Sequence, residues 1–147
     1  MTSGSRHRIR VAAALTTGAA LLTAAGCAPA VQTSGCPGWA YFGSAEARYE
    51  VAEAVITTAS PRASGTQSVF SVAASAYMVT VDETEKGPFI AGETIRVVSM
   101  PDACSGTDLY PDGDPMDTDQ PLRLYLSSGN GFWATLTPLE GAEPIEE

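Results

Sequence analysis

Leu122-Arg123-Leu124-Tyr125-Leu126, then Ser127-Ser128-Gly129-Asn130-Gly131, then Phe132-Trp133-Ala134-Thr135-Leu136-Thr137: this stretch decides the fold. Leucines at 122, 124 and 126 alternate with Arg123 and Tyr125, the period-two pattern of a strand with one face in a core. The Ser/Gly/Asn segment between the two runs tolerates left-handed backbone, so it reads as the clearest hairpin in the chain. Upstream, Glu93 to Ser99 repeats the strand pattern with Ile95 and Val97. Gln67 to Val81 is the longest β-like stretch, with Val69, Phe70, Val72, Tyr77, Val79 and Val81 as its larger members. A bend or bulge fits its small Ala/Ser middle. Glu83 to Gly87 reads as a polar turn and Ser60 to Gly65 as a loop. Val55-Ile56-Thr57-Thr58 favours a strand, continuing an alternation that begins at Tyr49. Ser44 to Glu50 has the chemistry of a helix start, with Ser44 as N-cap and Glu46 in the first turn. Five short strands with Gly/Pro punctuation and no long helix predict an all-β domain, a small five-stranded barrel or sandwich with one short helix near its N-terminus.

The N-terminus is an address. Arg6, Arg8 and Arg10 precede an apolar run from Val11 to Ala25, which is 15 residues and short for a permanent span. A cleaved secretory signal is the reading this supports. Ala24-Ala25-Gly26-Cys27 resembles the lipobox of bacterial lipoproteins, with Ala24 where that pattern prefers leucine. The resemblance implies a diacylglycerol on the Cys27 sulfur, cleavage before it, and two or three acyl chains, palmitate among them, anchoring the chain to the cell membrane on its extracytoplasmic face. The other reading is plain secretion with Cys27 left as a thiol. The expected organisation is a signal peptide at 1–26, a tether and N-terminal segment at 27–43, the barrel at 44–139 and an acidic frayed tail at 140–147.

Composition removes several function classes. Residues 27–147 carry five basic side chains (Arg48, Arg62, Lys86, Arg96, Arg123) against 17 acidic ones, a balance of −12. Such a surface repels phosphate backbones, so nucleic acid is not an expected partner. The one histidine, His7, lies in the segment expected to be removed. Without imidazole, Ser-His-Asp and Cys-His catalysis and HExxH zinc sites are excluded. Paired carboxylates are not marked out by their surroundings, and no enzymatic activity is expected. Lipidation of Cys27 leaves Cys36 and Cys104, which an oxidising compartment favours as a disulfide. It would close a loop worth about 4 kcal/mol in the chain-entropy picture. Two free thiols are the alternative.

The order Val51 to Thr58, Tyr77-x-Val79-x-Val81-x5-Gly87, Gly92-x-x-Ile95-x-Val97-x-Ser99, Cys104 and Leu124-Tyr125-Leu126 is similar to the OB-fold barrel of the netrin-like and tissue-inhibitor-of-metalloproteinase group. The likeness covers about residues 45 to 137 and implies a five-stranded OB-like barrel that presents loops to another protein. That group's inhibitors use an N-terminal Cys-x-Cys and several disulfides. Here Cys27 has no such partner, one disulfide is available, and Ser105 stands where a glycine is expected. Protease inhibition is therefore not implied.

Two surfaces remain as candidate sites. Asp108, Asp112, Asp114, Asp117 and Asp119 crowd one segment with Asp-Gly and Asp-Pro turn pairs. Hard oxygen ligands at this density suit Ca²⁺, although the spacing misses the EF-hand register. The other reading is a solvated acidic loop. Trp39, Tyr41 and Phe42 form an aromatic cluster near the expected anchor, suited either to a partner or the membrane interface, or to packing across one end of the domain. Phe70, Tyr77, Tyr125, Phe132 and Trp133 read as core. The expected function is that of a lipid-anchored, non-catalytic protein-binding or accessory module without a cofactor. The alternative is a Ca²⁺- or small-ligand-binding lipoprotein that uses the 108–119 loop.

Overall fold

The computed structural model describes residues 38–146. The expected signal segment, Cys27 and Cys36 lie outside the described residues, and with them the expected disulfide; Cys104 lies in an exposed turn. A seven-residue helix, α1 (Ala45–Val51), is followed by eight strands: β1 (Ala54–Thr58), β2 (Arg62–Val69), β3 (Val72–Thr80), β4 (Glu83–Lys86), β5 (Thr94–Val98), β6 (Leu122–Gly129), β7 (Phe132–Thr135) and β8 (Ala142–Pro144). The chain is therefore all-β with one short helix. Ser44 caps that helix as expected, its hydroxyl accepting from the Ala47 N–H at 3.2 Å.

The strands form one sheet in the order β2-β3-β5-β7-β6-β1-β4, with β8 beside β6. All pairs are antiparallel except β5 and β7, which align in parallel through Val97↔Trp133 and Val98↔Ala134. The hydrogen-bond path has two ends and does not close, so the expected five-stranded barrel is corrected to an open eight-stranded sheet. One regularity accompanies the openness. Thr57 pairs with Glu83 and Arg62 pairs with Met78, so β1 and β2 continue one another opposite β4 and β3 in a shared register.

Side-chain parity places the core. Leu122, Leu124 and Leu126 of β6 meet Ile56, Val79 and Val97 on one face, all fully buried. Tyr125 points the other way, onto Val55 and Ala52, with Ala45 and Tyr49 of the helix packed over them. β6 is thus covered on both faces at Tyr125, while Arg123 and Ser127 on the same face as Tyr125 stay part-exposed. A smaller cluster of Val69, Ala74, Ala76, Val98 and Ala134 occupies the outer face of β3, β5 and β7.

Four expectations are corrected by hydrogen bonding that period-two reading does not see. The stretch read as one long β run reverses at Phe70-Ser71, and its Ala/Ser middle runs through β3 with a register shift where β2 passes from Ala63 to Thr66 opposite Ala76. Glu83 to Lys86 is a strand because it finds β1 as a partner. The loop assigned to Ser60 to Gly65 is strand from Arg62. Within the tail expected to fray, at 140–147, a strand forms. Ala142–Pro144 pairs with Leu122 to Leu124, and the Tyr125 N–H donates to the Gly141 carbonyl at 2.9 Å.

Gly87, which follows β4 opposite Ala54, combines a φ of +107° with close backbone approach. A Cβ there would sit 2.6 Å from the Ala54 Cβ. Gly92 has a φ of +86° but open space around it. Gly87→Ala should therefore destabilise by about 3 kcal/mol, from strain plus overpacking, and Gly92→Ala by about 1 kcal/mol, from strain alone. Urea unfolding of the two variants checks the difference.

Candidate functional site

The segment from Ser99 to Pro121 joins β5 to β6 and holds the whole acidic cluster. Its aspartates do not converge. Among the described residues, no group of three or more His, Cys, Asp or Glu side chains is placed to hold a metal ion. Asp108, Asp112, Asp117 and Asp119 are exposed. Asp114 instead turns inward. It accepts from the Tyr77 hydroxyl at 2.8 Å, the Ser99 hydroxyl at 2.7 Å and the Met116 N–H at 3.0 Å. Two residues on, Met116 is fully buried among Tyr77, Val79, Ile95 and the β6 leucines. The Tyr110 hydroxyl adds a second tie, accepting from the Ser75 N–H at 3.0 Å and donating to the Ser99 carbonyl at 2.9 Å. Burial and the Asp114 carboxylate together push the Tyr77 phenol well above its ordinary value, and burial raises Tyr110 as well. A carboxylate tied this way is structural, and the segment is a fastened crossover with an acidic outer rim.

The cations are spent internally. Arg48 donates to Glu143 at 2.6 Å, and Arg123 pairs with Glu85. Both guanidinium groups lie over the Tyr125 ring, at 4.9 and 5.3 Å from its centroid, while the Tyr125 hydroxyl donates to Glu143 at 2.7 Å. Burial, then the Glu143 carboxylate, pushes the Tyr125 phenol up to about 12. Lys86 donates to the carbonyls of Tyr49 and Glu50 at the end of α1, and Arg96 to Gln67 and the Thr66 carbonyl. Arg62 alone among the five has no such partner among the described residues.

Several large apolar side chains are exposed, Ile90 and Val51 among them, and two of the exposed places involve aromatic residues. Tyr41 is 84% exposed and Leu139 70%, and they flank a small cavity of about 140 Å³ with Trp39 and Pro138. Phe42 is tied to the domain, its N–H donating to Glu140 at 2.9 Å. The N-terminal segment thus packs across the domain at Phe42 and Trp39 while leaving Tyr41 outside. Trp39 meets Phe70 edge-on at 5.9 Å between ring centroids. Phe70, expected in the core, is 53% exposed at the β2–β3 turn, where it and Ser71 hold φ of 49° and 68°. A bulky residue in left-handed backbone costs about 1–3 kcal/mol. Nothing in Ser68-Val69-Phe70-Ser71-Val72 signals a tight turn, since no Gly, Asn or Pro is present; Asn130-Gly131 at the β6–β7 turn gives the signal in full. A groove of about 300 Å³ lies between these two tips, walled by Gln67 to Phe70 and Ser127 to Asn130, with Met100, Phe132 and Ala134 beneath.

No family model matches the chain, and neither a curated protein nor a solved structure does so. Among the described residues, no helix is long and apolar enough to cross a membrane.

Asp114→Ala should cost about 3 kcal/mol, because the Tyr77 and Ser99 hydroxyls lose their acceptor together. Asp112→Asn and Asp117→Asn should stay within about 0.5 kcal/mol. Chemical denaturation separates the two cases. Alkali gives a second test. A phenol whose pKa rises from 10.0 to about 12 on folding adds stability below pH 10 that is lost as pH climbs through 12. The melting temperature should fall across that window, and Tyr125→Phe should lessen the fall.

Proposed function

We propose that the protein is a lipoprotein anchored through Cys27 on the extracytoplasmic face of the cell membrane, and that its domain is a non-catalytic protein-binding module of OB-like type. The observation that carries the binding reading is the exposure of Tyr41, Leu139 and Phe70 around the half-buried Trp39, on a domain whose cations are mostly engaged. Apolar patches rimmed by polar groups mark interaction surfaces. This patch has carboxylates at both ends. Glu140 lies beside Tyr41, and Asp102 lies beside Trp39, its carboxyl held below the usual range by the Ser105 hydroxyl and the Cys104 N–H. Nucleic acid and anionic headgroups are repelled by this field; a basic protein surface is attracted. The OB-like reading is supported by the shared register of β1–β2 against β3–β4. Merging each pair leaves six segments, β1–β2, β3–β4, β5, β6, β7 and the three-residue β8 that lies off the main path; the first five match the number of a partly open OB barrel. The absence of imidazole from residues 27–147 supports the non-catalytic part.

The test is a photo-crosslinking phenylalanine at Tyr41 in the full-length chain in cells. One protein should be captured reproducibly. Cys27→Ala should reduce the capture about tenfold or more, because an anchored encounter becomes a bimolecular one. Failure to capture any protein above background from an anchored chain would sink the reading.

A further inference from the structure

We propose that the cavity between the N-terminal segment and the β7–β8 connection is the pocket for one arginine side chain of the protein partner. The assignment rests on the protein-binding reading above and gives that contact its chemistry. The cavity shares no residue with the groove between the hairpin tips. Two short runs enclose it, Trp39 to Tyr41 on one side and Thr137 to Glu140 on the other. The second run is a fixed turn. Pro138 is buried with its φ set by its ring, and the Glu140 N–H donates to the Thr137 hydroxyl at 2.9 Å. The first run is held at both ends. The Phe42 N–H donates to Glu140 Oε2 at 2.9 Å, and Trp39 packs on Phe70. The cavity is thus formed before anything enters it, so filling it costs little ordering of the walls.

Size limits the occupant. A volume of about 140 Å³ lies below the roughly 300–1,000 Å³ of whole small-ligand sites and has room for a single side chain. Charge then selects it. Every ion pair among the described residues falls on Glu85 or Glu143. Glu140 is half-buried, yet its carboxylate accepts only from the neutral Phe42 N–H, and Oε1 takes no hydrogen bond among the described residues. Asp102, beside Trp39, likewise accepts from neutral donors, the Cys104 N–H at 3.1 Å and the Ser105 hydroxyl. No basic side chain lines the cavity. An acidic occupant would be repelled. A neutral apolar one would strip water from the Glu140 carboxylate and return no hydrogen bond to it.

A cation on an aliphatic stem meets both demands. Its methylenes lie along Pro138 and Leu139 while its head reaches Glu140 Oε1. Arginine suits the place better than lysine, because the planar, weakly hydrated guanidinium stacks on aromatic rings, here those of Trp39 and Tyr41. The molecule already uses this chemistry once within itself. Arg48 lies over the Tyr125 ring and donates to Glu143 at 2.6 Å. At the proposed pocket the chain offers the ring and the carboxylate, and the partner supplies the arginine.

The experiment uses the full-length ¹⁵N-labelled protein in a maltoside detergent with four probes. These are the blocked tripeptide Ala-Arg-Ala, the same peptide with citrulline for arginine, its norleucine counterpart, and tetramethylammonium chloride. Citrulline keeps the shape without the charge, norleucine keeps the stem alone, and tetramethylammonium keeps the charge alone and stands for a choline headgroup. The arginine peptide should shift the Trp39 indole signal and the Leu139 and Glu140 amides, with half-saturation in the millimolar range. Each of the other three should bind about tenfold more weakly or not at all. Glu140→Gln keeps an acceptor for the Phe42 N–H. It should leave the melting temperature unchanged, erase the preference for arginine over citrulline, and cut photo-crosslinking from Tyr41 in cells about fivefold or more. Equal binding of the citrulline peptide, equal binding of tetramethylammonium, or no shift by the arginine peptide at about 50 mM would each overturn the proposal. Undiminished crosslinking in Glu140→Gln would also overturn it while leaving the protein-binding reading in place; no crosslink from the unaltered Glu140 chain would remove both.

Discussion

A single carboxylate governs how this chain can be threaded. β5 and β7 are parallel neighbours, and a parallel pair requires the chain to leave the sheet and come back to the same end. Part of that journey is the long segment from Ser99 to Pro121, which has no strand or helix of its own. Uncovered segments of this length are uncommon in small domains because nothing repays their ordering. Asp114 supplies the repayment by accepting three hydrogen bonds at the sheet, and Met116 fills the interior just beyond. With those two residues seated, β6 starts where Leu122 can enter the core. Everything after it (the hairpin, β7 and β8) inherits its register from that start.

The strands were legible where burial is one-sided or where a turn has its own chemistry. Leu122 to Leu126 and Ile95 to Val97 alternate visibly, and Asn130-Gly131 announces its reversal. Legibility failed where the deciding partner is remote. β4 is four polar residues that become a strand only opposite β1, and β8 exists because β6 has room beside it. Phe70-Ser71 was hidden because the turn is made by residues that ordinarily avoid it. Among the candidate site residues, Tyr41 is exposed as a binding residue should be, while Phe42 and Trp39 are largely used in packing. The five aspartates look equivalent in sequence. Only the positions of Tyr77 and Ser99, 37 and 15 residues away, distinguish Asp114 from the other four.

The charge imbalance has a structural side as well as a functional one. Four of the five cations hold elements together: Arg48 and Arg123 bracket Tyr125, Lys86 closes the end of α1, and Arg96 ties β5 to β2. Engaged partners of this kind contribute modestly to stability where they are exposed and more where the ring and the pair are covered together. The unpaired charge that faces water is consequently mostly acidic. At physiological salt the resulting field extends about 8 Å, enough to sort approaching surfaces by sign before contact.

β1 has a mechanical consequence. It is held on both edges, by β4 and by β6, and it lies directly after α1 and the N-terminal segment. Tension entering from the N-terminal side reaches β1 once the bonds of the N-terminal segment and α1 have given way. That strand has no open edge, so freeing it breaks two ladders. A pull on the N-terminal segment would therefore meet the Phe42–Glu140 and Arg48–Glu143 bonds first and the two ladders of β1 after them.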